Sequence, residues 1–180
     1  PGKIAADGTQ EKGINLAIAQ KLQTYLEAAD VHVIMTRTTD SGLYDKNASN
    51  KKEQDMKNRI ALMEDSNADL IVSIHQNSYS DSAIHGAQVF YYTTSASGKD
   101  LAEALQDVLV KNLDPKNHRQ AKANDSYYLL KKTTKPIVIV ECGFLSNPTE
   151  AALLKSDSYQ DEIAWVLHLG ILQHLNQVSR

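Results

Sequence analysis

The run from residue 136 to residue 141, PIVIVE, constrains this chain more than any other feature. Ile137, Val138, Ile139 and Val140 are all β-branched, and such side chains favour the pleated backbone of a strand. The run ends on Glu141. A carboxylate directly after an apolar strand sits where an unpaired charge is expensive, so it needs a partner or a metal ion. A second run, residues 69–74 (DLIVSI), is nearly continuously apolar, the pattern of a strand covered on both faces. It leads directly into His75.

Helical patterns separate these runs. Residues 11–29 carry Ile14, Ile18, Leu22 and Leu26 at i, i+4 spacing, and residues 52–66 carry Met56, Ile60 and Met63 on one face. Residues 98–113 (Leu101, Leu105, Val108, Leu109) and 158–176 (Ile163, Leu167, Ile171, Leu175) repeat the pattern. Shorter strands are expected over 31–36 (VHVIMT), 87–92 (AQVFYY) and 127–130 (YYLL), with loops over 40–50 and 114–126. Strands separated by helices predict an α/β fold: a three-layer sandwich whose central sheet is mostly parallel, with helices on both faces. A chain of 180 residues suits a single domain over residues 1–180. In such sheets functional groups collect beyond the carboxyl ends of the strands, which singles out residues 75–78 and 141–147.

Composition narrows the function classes. A net charge of −3 gives no electrostatic ground for nucleic acid or an anionic membrane as the main partner. No apolar run reaches the roughly 18 residues of a membrane span. Cys142 is the one cysteine, so no intrachain disulfide is possible.

If the strands 69–74 and 136–140 are neighbours, His75 and Glu141 project from the same sheet edge. Glu11 is a third candidate, where the loop Ala6-Asp7-Gly8-Thr9 turns into the first helix. Thr9 is expected to cap that helix, and a first-turn carboxylate is favourable there. Imidazole and carboxylate are ligand types of a catalytic zinc site, which keeps three protein ligands and one open position. The ion lowers the pKa of water, and a further carboxylate can act as general base and later protonate a leaving amine. Spacing alone leaves plainer readings open: a loop histidine, a solvated first-turn glutamate, a structurally paired Glu141.

Three segments sharpen this. Glu11-Lys12-Gly13-Ile14-Asn15-Leu16, Ser73-Ile74-His75-Gln76-Asn77 and Glu141-Cys142-Gly143-Phe144-Leu145-Ser146-Asn147 occur in this order. Together they resemble the amidase-3 family of zinc-dependent N-acetylmuramoyl-L-alanine amidases. Weaker matches are Met35-Thr36-Arg37, Arg59, and Tyr128-Leu129-Leu130 with Thr133 and Pro136. The segments GLYDKNASNKKEQDM and NHRQAKANDSYYLLKKT look closest to the spore-cortex, germination-specific (CwlD-type) branch.

The resemblance implies Glu11 and His75 as ligands of a Zn2+ ion and Glu141 as the catalytic glutamate. It implies peptidoglycan, a glycan strand with its stem peptide, as substrate, and export from the cytoplasm. It also implies an activating protein partner, since some relatives need one. In the family a further ligand, the His of a DxGHGG motif, ends the first strand. Pro1-Gly2-Lys3 matches the family's residues a little downstream of that motif, so the first strand and its His are expected upstream. Substrate-binding roles fall to Asn77, Arg59 and Arg119, with Lys122 beside Arg119. Each also has a plain reading as a turn residue, a salt-bridged helix residue or a solvated loop residue. Tyr127 and Tyr128 read as groove lining or packing. Two alternative functions remain: a catalytically inactive peptidoglycan- or partner-binding module of the same fold, and a cysteine hydrolase using Cys142 with His75. Against the second, Cys142 is expected on the face opposite Glu141.

Overall fold

The computed structural model describes residues 2–178. The elements run in the order α1 (Glu11–Ala28), α2 (Lys51–Asp65), β1 (Ile71–Asn77), β2 (Gln88–Tyr92), α3 (Ala96–Asn112), β3 (Lys122–Asn124), a 3-10 turn (Leu129–Lys131), β4 (Ile137–Phe144), α4 (Pro148–Leu154) and α5 (Asp157–Val178). The four strands form one sheet in the order β1-β4-β2-β3. β1 with β4 and β2 with β3 are parallel, while β2 runs antiparallel to β4. The sheet is therefore mostly parallel, as the alternating pattern predicts.

β4 divides the interior. All eight of its residues are buried, and successive side chains point to opposite faces. Val138, Val140 and Cys142 join the larger core, built from Ile14, Ile18, Leu22 and Leu26 of α1, Leu101, Leu105 and Leu109 of α3, and Ile163, Leu167 and Ile171 of α5. Ile137 and Ile139 face the other way, into a smaller core with Met63 of α2, Phe90 of β2 and Leu130 of the 3-10 turn. Helices thus cover both faces, giving three layers. Glu141 continues the row of Ile137 and Ile139, so it opens on the thinly covered face.

Several local expectations need correction. Residues 31–36 are not a strand but an irregular stretch with no ladder partner among the described residues. Other contacts hold it: Val31 and Val33 pack on the larger core, and Thr36 Oγ1 accepts from Arg59 at 3.1 Å. Residues 127–130 are not a strand either. Asn124 Oδ1 accepts the backbone N–H groups of Ser126 and Tyr127, each at 2.8 Å, and this turn competes with ladder pairing. The strand in that region is β3, whose three largely exposed residues carry no apolar signal. α1 is capped at Gln10 without a side-chain bond, not by Thr9. Asn147 makes α4, accepting from the N–H groups of Thr149 and Glu150 with Pro148 in the first turn.

Candidate active site

The register of β1 on β4 sets His75 directly opposite Glu141. Both residues lie inside their strands rather than just beyond them, because pairing continues to Asn77 and Phe144.

Glu11 arrives from outside the sheet. Ile4 and Gln10 form a bridge, and Glu11 N donates to Lys3 O at 2.9 Å, which folds the leading turn back onto the start of α1. The carboxylate is 5% exposed and nearly saturated. Oε2 accepts from Lys3 N at 2.6 Å. Oε1 meets His75 Nδ1 at 2.8 Å, Asn15 Nδ2 at 3.1 Å and Gln76 N at 3.2 Å. Burial pushes this carboxyl up, yet the donors from His75, the Lys3 backbone and Asn15 prevail and hold it at about 2. Glu11 is therefore a fixed anion beside an imidazole. The other ring nitrogen of His75, Nε2, lies 3.1 Å from Ser73 Oγ.

Glu141 is buried too, at 7% exposure, but poorly partnered. Oε1 accepts one long bond from the Tyr127 hydroxyl, 3.3 Å. Oε2 is buried with no hydrogen-bond partner among the described residues. Burial pushes the Glu141 carboxyl above its ordinary range, and the nearby Glu11 charge reinforces this against His75 and Tyr127. Two carboxylates in one site are thus driven apart by their surroundings, the arrangement that separates a ligand or anchor from a proton carrier. Burial and the Glu141 charge raise Tyr127 to about 12, so its phenol keeps its proton and donates.

The residues fit a metal ion as far as they go. Glu11 and His75 offer the carboxylate and imidazole donors that zinc takes, side by side, with the unpartnered Oε2 of Glu141 across the strand pair. Among the described residues, no group of three or more His, Cys, Asp and Glu is arranged to hold an ion. A catalytic zinc site takes three protein ligands, of which this pair would supply two.

The candidate substrate contacts separate. Arg119 stays near the site: its guanidinium lies 4.9 Å over the Phe144 ring and donates to Gln88 Oε1 at 3.1 Å, and Gln88 is the β2 partner of Glu141. Asn77 lies where the β1–β4 register shifts, and its Oδ1 accepts from Ser78 N at 2.8 Å. Arg59 is engaged by Asp55 at 2.6 Å and by Thr36, joining α2 to the stretch after α1. Cys142 is buried on the opposite face from Glu141, and burial pushes its thiol up. A nucleophilic cysteine needs the reverse, so the pairing of Cys142 with His75 is not formed.

Tyr127, read from the sequence as groove lining or packing, meets Glu141 through its hydroxyl. One contributor escaped sequence reasoning: Glu150, whose carboxylate accepts Gly86 N at 2.9 Å and Phe144 N at 2.8 Å. Its only sequence signal is its place in the first turn after Asn147-Pro148.

A protein-family model described as N-acetylmuramoyl-L-alanine amidase matches residues 1–173. The chain belongs to the N-acetylmuramoyl-L-alanine amidase family. Its similarity to individual members extends along nearly the whole chain. The germination-specific N-acetylmuramoyl-L-alanine amidase of Bacillus subtilis is 38% identical over 170 residues, which cover 93% of this chain and 71% of that protein. The amidase LytC of the same organism is 31% identical over 93% of this chain, a stretch that makes up 32% of LytC. The structure of the CwlD amidase from Clostridioides difficile, solved in complex with the GerS lipoprotein, superposes with a TM-score of 0.95 at 40% identity. That match covers 98% of this chain and 92% of the other.

Proposed function

We propose that this amidase-family chain hydrolyses the amide between N-acetylmuramic acid and L-alanine in peptidoglycan, with Zn2+ as cofactor and spore cortex as the setting. The observation that carries the reading is the meeting of Glu11, His75 and Glu141 at one place, with Glu11 anchored and Glu141 Oε2 left without a partner. The germination-specific relative supports the cortex assignment.

Glu11 and His75 would hold the ion. Bound there, zinc supplies Lewis-acid polarisation of the scissile carbonyl and acidifies water. The remaining steps belong to Glu141. Its Oε2 takes a proton from the attacking water as the new C–O bond forms at the lactyl carbonyl. It then delivers that proton to the alanine nitrogen as the C–N bond breaks, because an amide nitrogen leaves readily only once protonated. Burial suits Glu141 to this work by raising its basicity. Arg119 and Asn77 would bind the stem peptide, and Arg59 would order the loop beside it. The substrate lies outside the cytoplasmic membrane, so the protein acts there. No helix of the described residues is long and apolar enough to cross a membrane. A protein partner is part of the reading, supported by the relative solved with a lipoprotein.

The test is digestion of purified cortex peptidoglycan, with released stem peptides identified by mass spectrometry and bound zinc measured on the same samples. Glu141→Ala should retain zinc and release no peptide, while His75→Ala should lose zinc. Undiminished peptide release by Glu141→Ala would overturn the assignment.

A further inference from the structure

We propose that Tyr127 is the positioning residue of Glu141: its hydroxyl holds Oε1 and leaves Oε2 as the atom that exchanges protons with the reacting groups. This rests on the reading of Glu141 as proton carrier. The terminal torsion of a glutamate is broad and nearly two-fold. Without a fixed donor, the two oxygens of Glu141 are interchangeable and neither has a defined place. Proton transfer requires the working atom within about 2.6–3.2 Å of its proton.

The structure holds the tyrosine from two sides. Asn124 Oδ1 accepts the backbone N–H of Tyr127 at 2.8 Å. Asn124 is itself paired with Tyr92 of β2. The Tyr127 ring stands edge-on to Phe90, with centroids 5.5 Å apart and planes at 90°. Phe90 is buried and pairs with Ile139 of β4, two residues before Glu141. Tyr127, through Asn124 and Phe90, and Glu141, through its pairing with Gln88, are thus both referred to β2, which fixes their separation more firmly than a free loop would. Within this frame the hydroxyl reaches Oε1 alone, and Oε2 keeps its unused acceptor sites.

Tyr127→Phe separates this role from packing, because the ring and its contact with Phe90 remain. Expected is a fall in kcat of about 10- to 100-fold, in keeping with the cost of misplacing a reacting group by about 1 Å. KM should stay within about two-fold, the pattern of an interaction made only in the transition state. Crystal structures of the wild type and the variant give a second readout that needs no turnover. Glu141 should adopt one orientation in the wild type and spread over two in Tyr127→Phe. A variant with wild-type kcat, or one whose Glu141 remains in the wild-type orientation, would overturn the proposal. A wild type that releases no stem peptide would instead overturn the amidase reading, and the crystallographic comparison would still decide the role of Tyr127.

Discussion

Replacing Glu141 with glutamine should stabilise the fold while removing its chemistry. Glu141 is 7% exposed, Oε1 has one bond of 3.3 Å and Oε2 has none. A buried acceptor without a partner costs about 1–3 kcal/mol, and a charged one more. Glutamine keeps the shape and the Oε1 acceptor for Tyr127 but removes the charge. The variant should therefore gain at least about 1 kcal/mol at neutral pH, which for a chain of this size raises the melting temperature by about 2–4 °C. The sign with pH follows from the direction of the shift. Burial raises the folded carboxyl above the ordinary value of 4.5, so the wild type loses stability as pH rises from 4.5 through the folded pKa. The glutamine variant has no such loss. Urea denaturation with chelator present, at about pH 4 and about pH 8, should show a gap near zero in acid that widens on the alkaline side. Peptide release should fall by about 10²–10⁴-fold, the usual contribution of a general acid–base. A gap that stays flat with pH, or a variant less stable than wild type at pH 8, would refute the reasoning.

Three further outcomes are expected. Cys142 should resist alkylation in the folded protein and react only after denaturation, because it is 1% exposed and its thiol is pushed up by burial; rapid native labelling by iodoacetamide would contradict its placement. Gly170→Ala should destabilise despite the better helix propensity of alanine, about 1 kcal/mol. The added Cβ would lie 2.7 Å from Leu105 Cδ2 and 2.8 Å from Val108 Cγ2, and overpacking costs about 1–3 kcal/mol, so thermal denaturation should show a lower midpoint. Asn147→Ala removes the cap of α4 and the bond from Nδ2 to Ser82 O at 2.9 Å; a loss of about 1 kcal/mol or somewhat more in urea melts is expected, with KM more affected than kcat because the loop after β1 loses an anchor.

The family segments mix two kinds of residue that sequence treats alike. Glu141 is the one to which the proposed mechanism gives the proton transfers. Ser146 and Asn147, five and six residues on, are tethers: Ser146 Oγ accepts from Tyr79 N at 2.9 Å, and Asn147 caps α4. Glu150 ties Gly86 to Phe144 from outside the segment altogether. Such roles depend on which backbone groups come near, so the one-dimensional motif does not distinguish them.

The α/β architecture follows from periodicity alone: Ile14, Ile18, Leu22 and Leu26 write a helix, and the β-branched run before Glu141 writes a strand, because burial of an apolar face demands those spacings. Pairing does not follow from periodicity. That β4 lies between β1 and β2, that β2 runs antiparallel to it, and that His75 falls opposite Glu141 are long-range choices of register. The residues concerned are far apart in the chain, and their local sequence carries no record of the partner strand. Contacts through polar side chains are decided later still. Glu11 against His75, Tyr127 against Glu141 and Glu150 between Gly86 and the end of β4 use groups whose type is visible in the sequence, but whose partners exist only once the sheet has closed and excluded water.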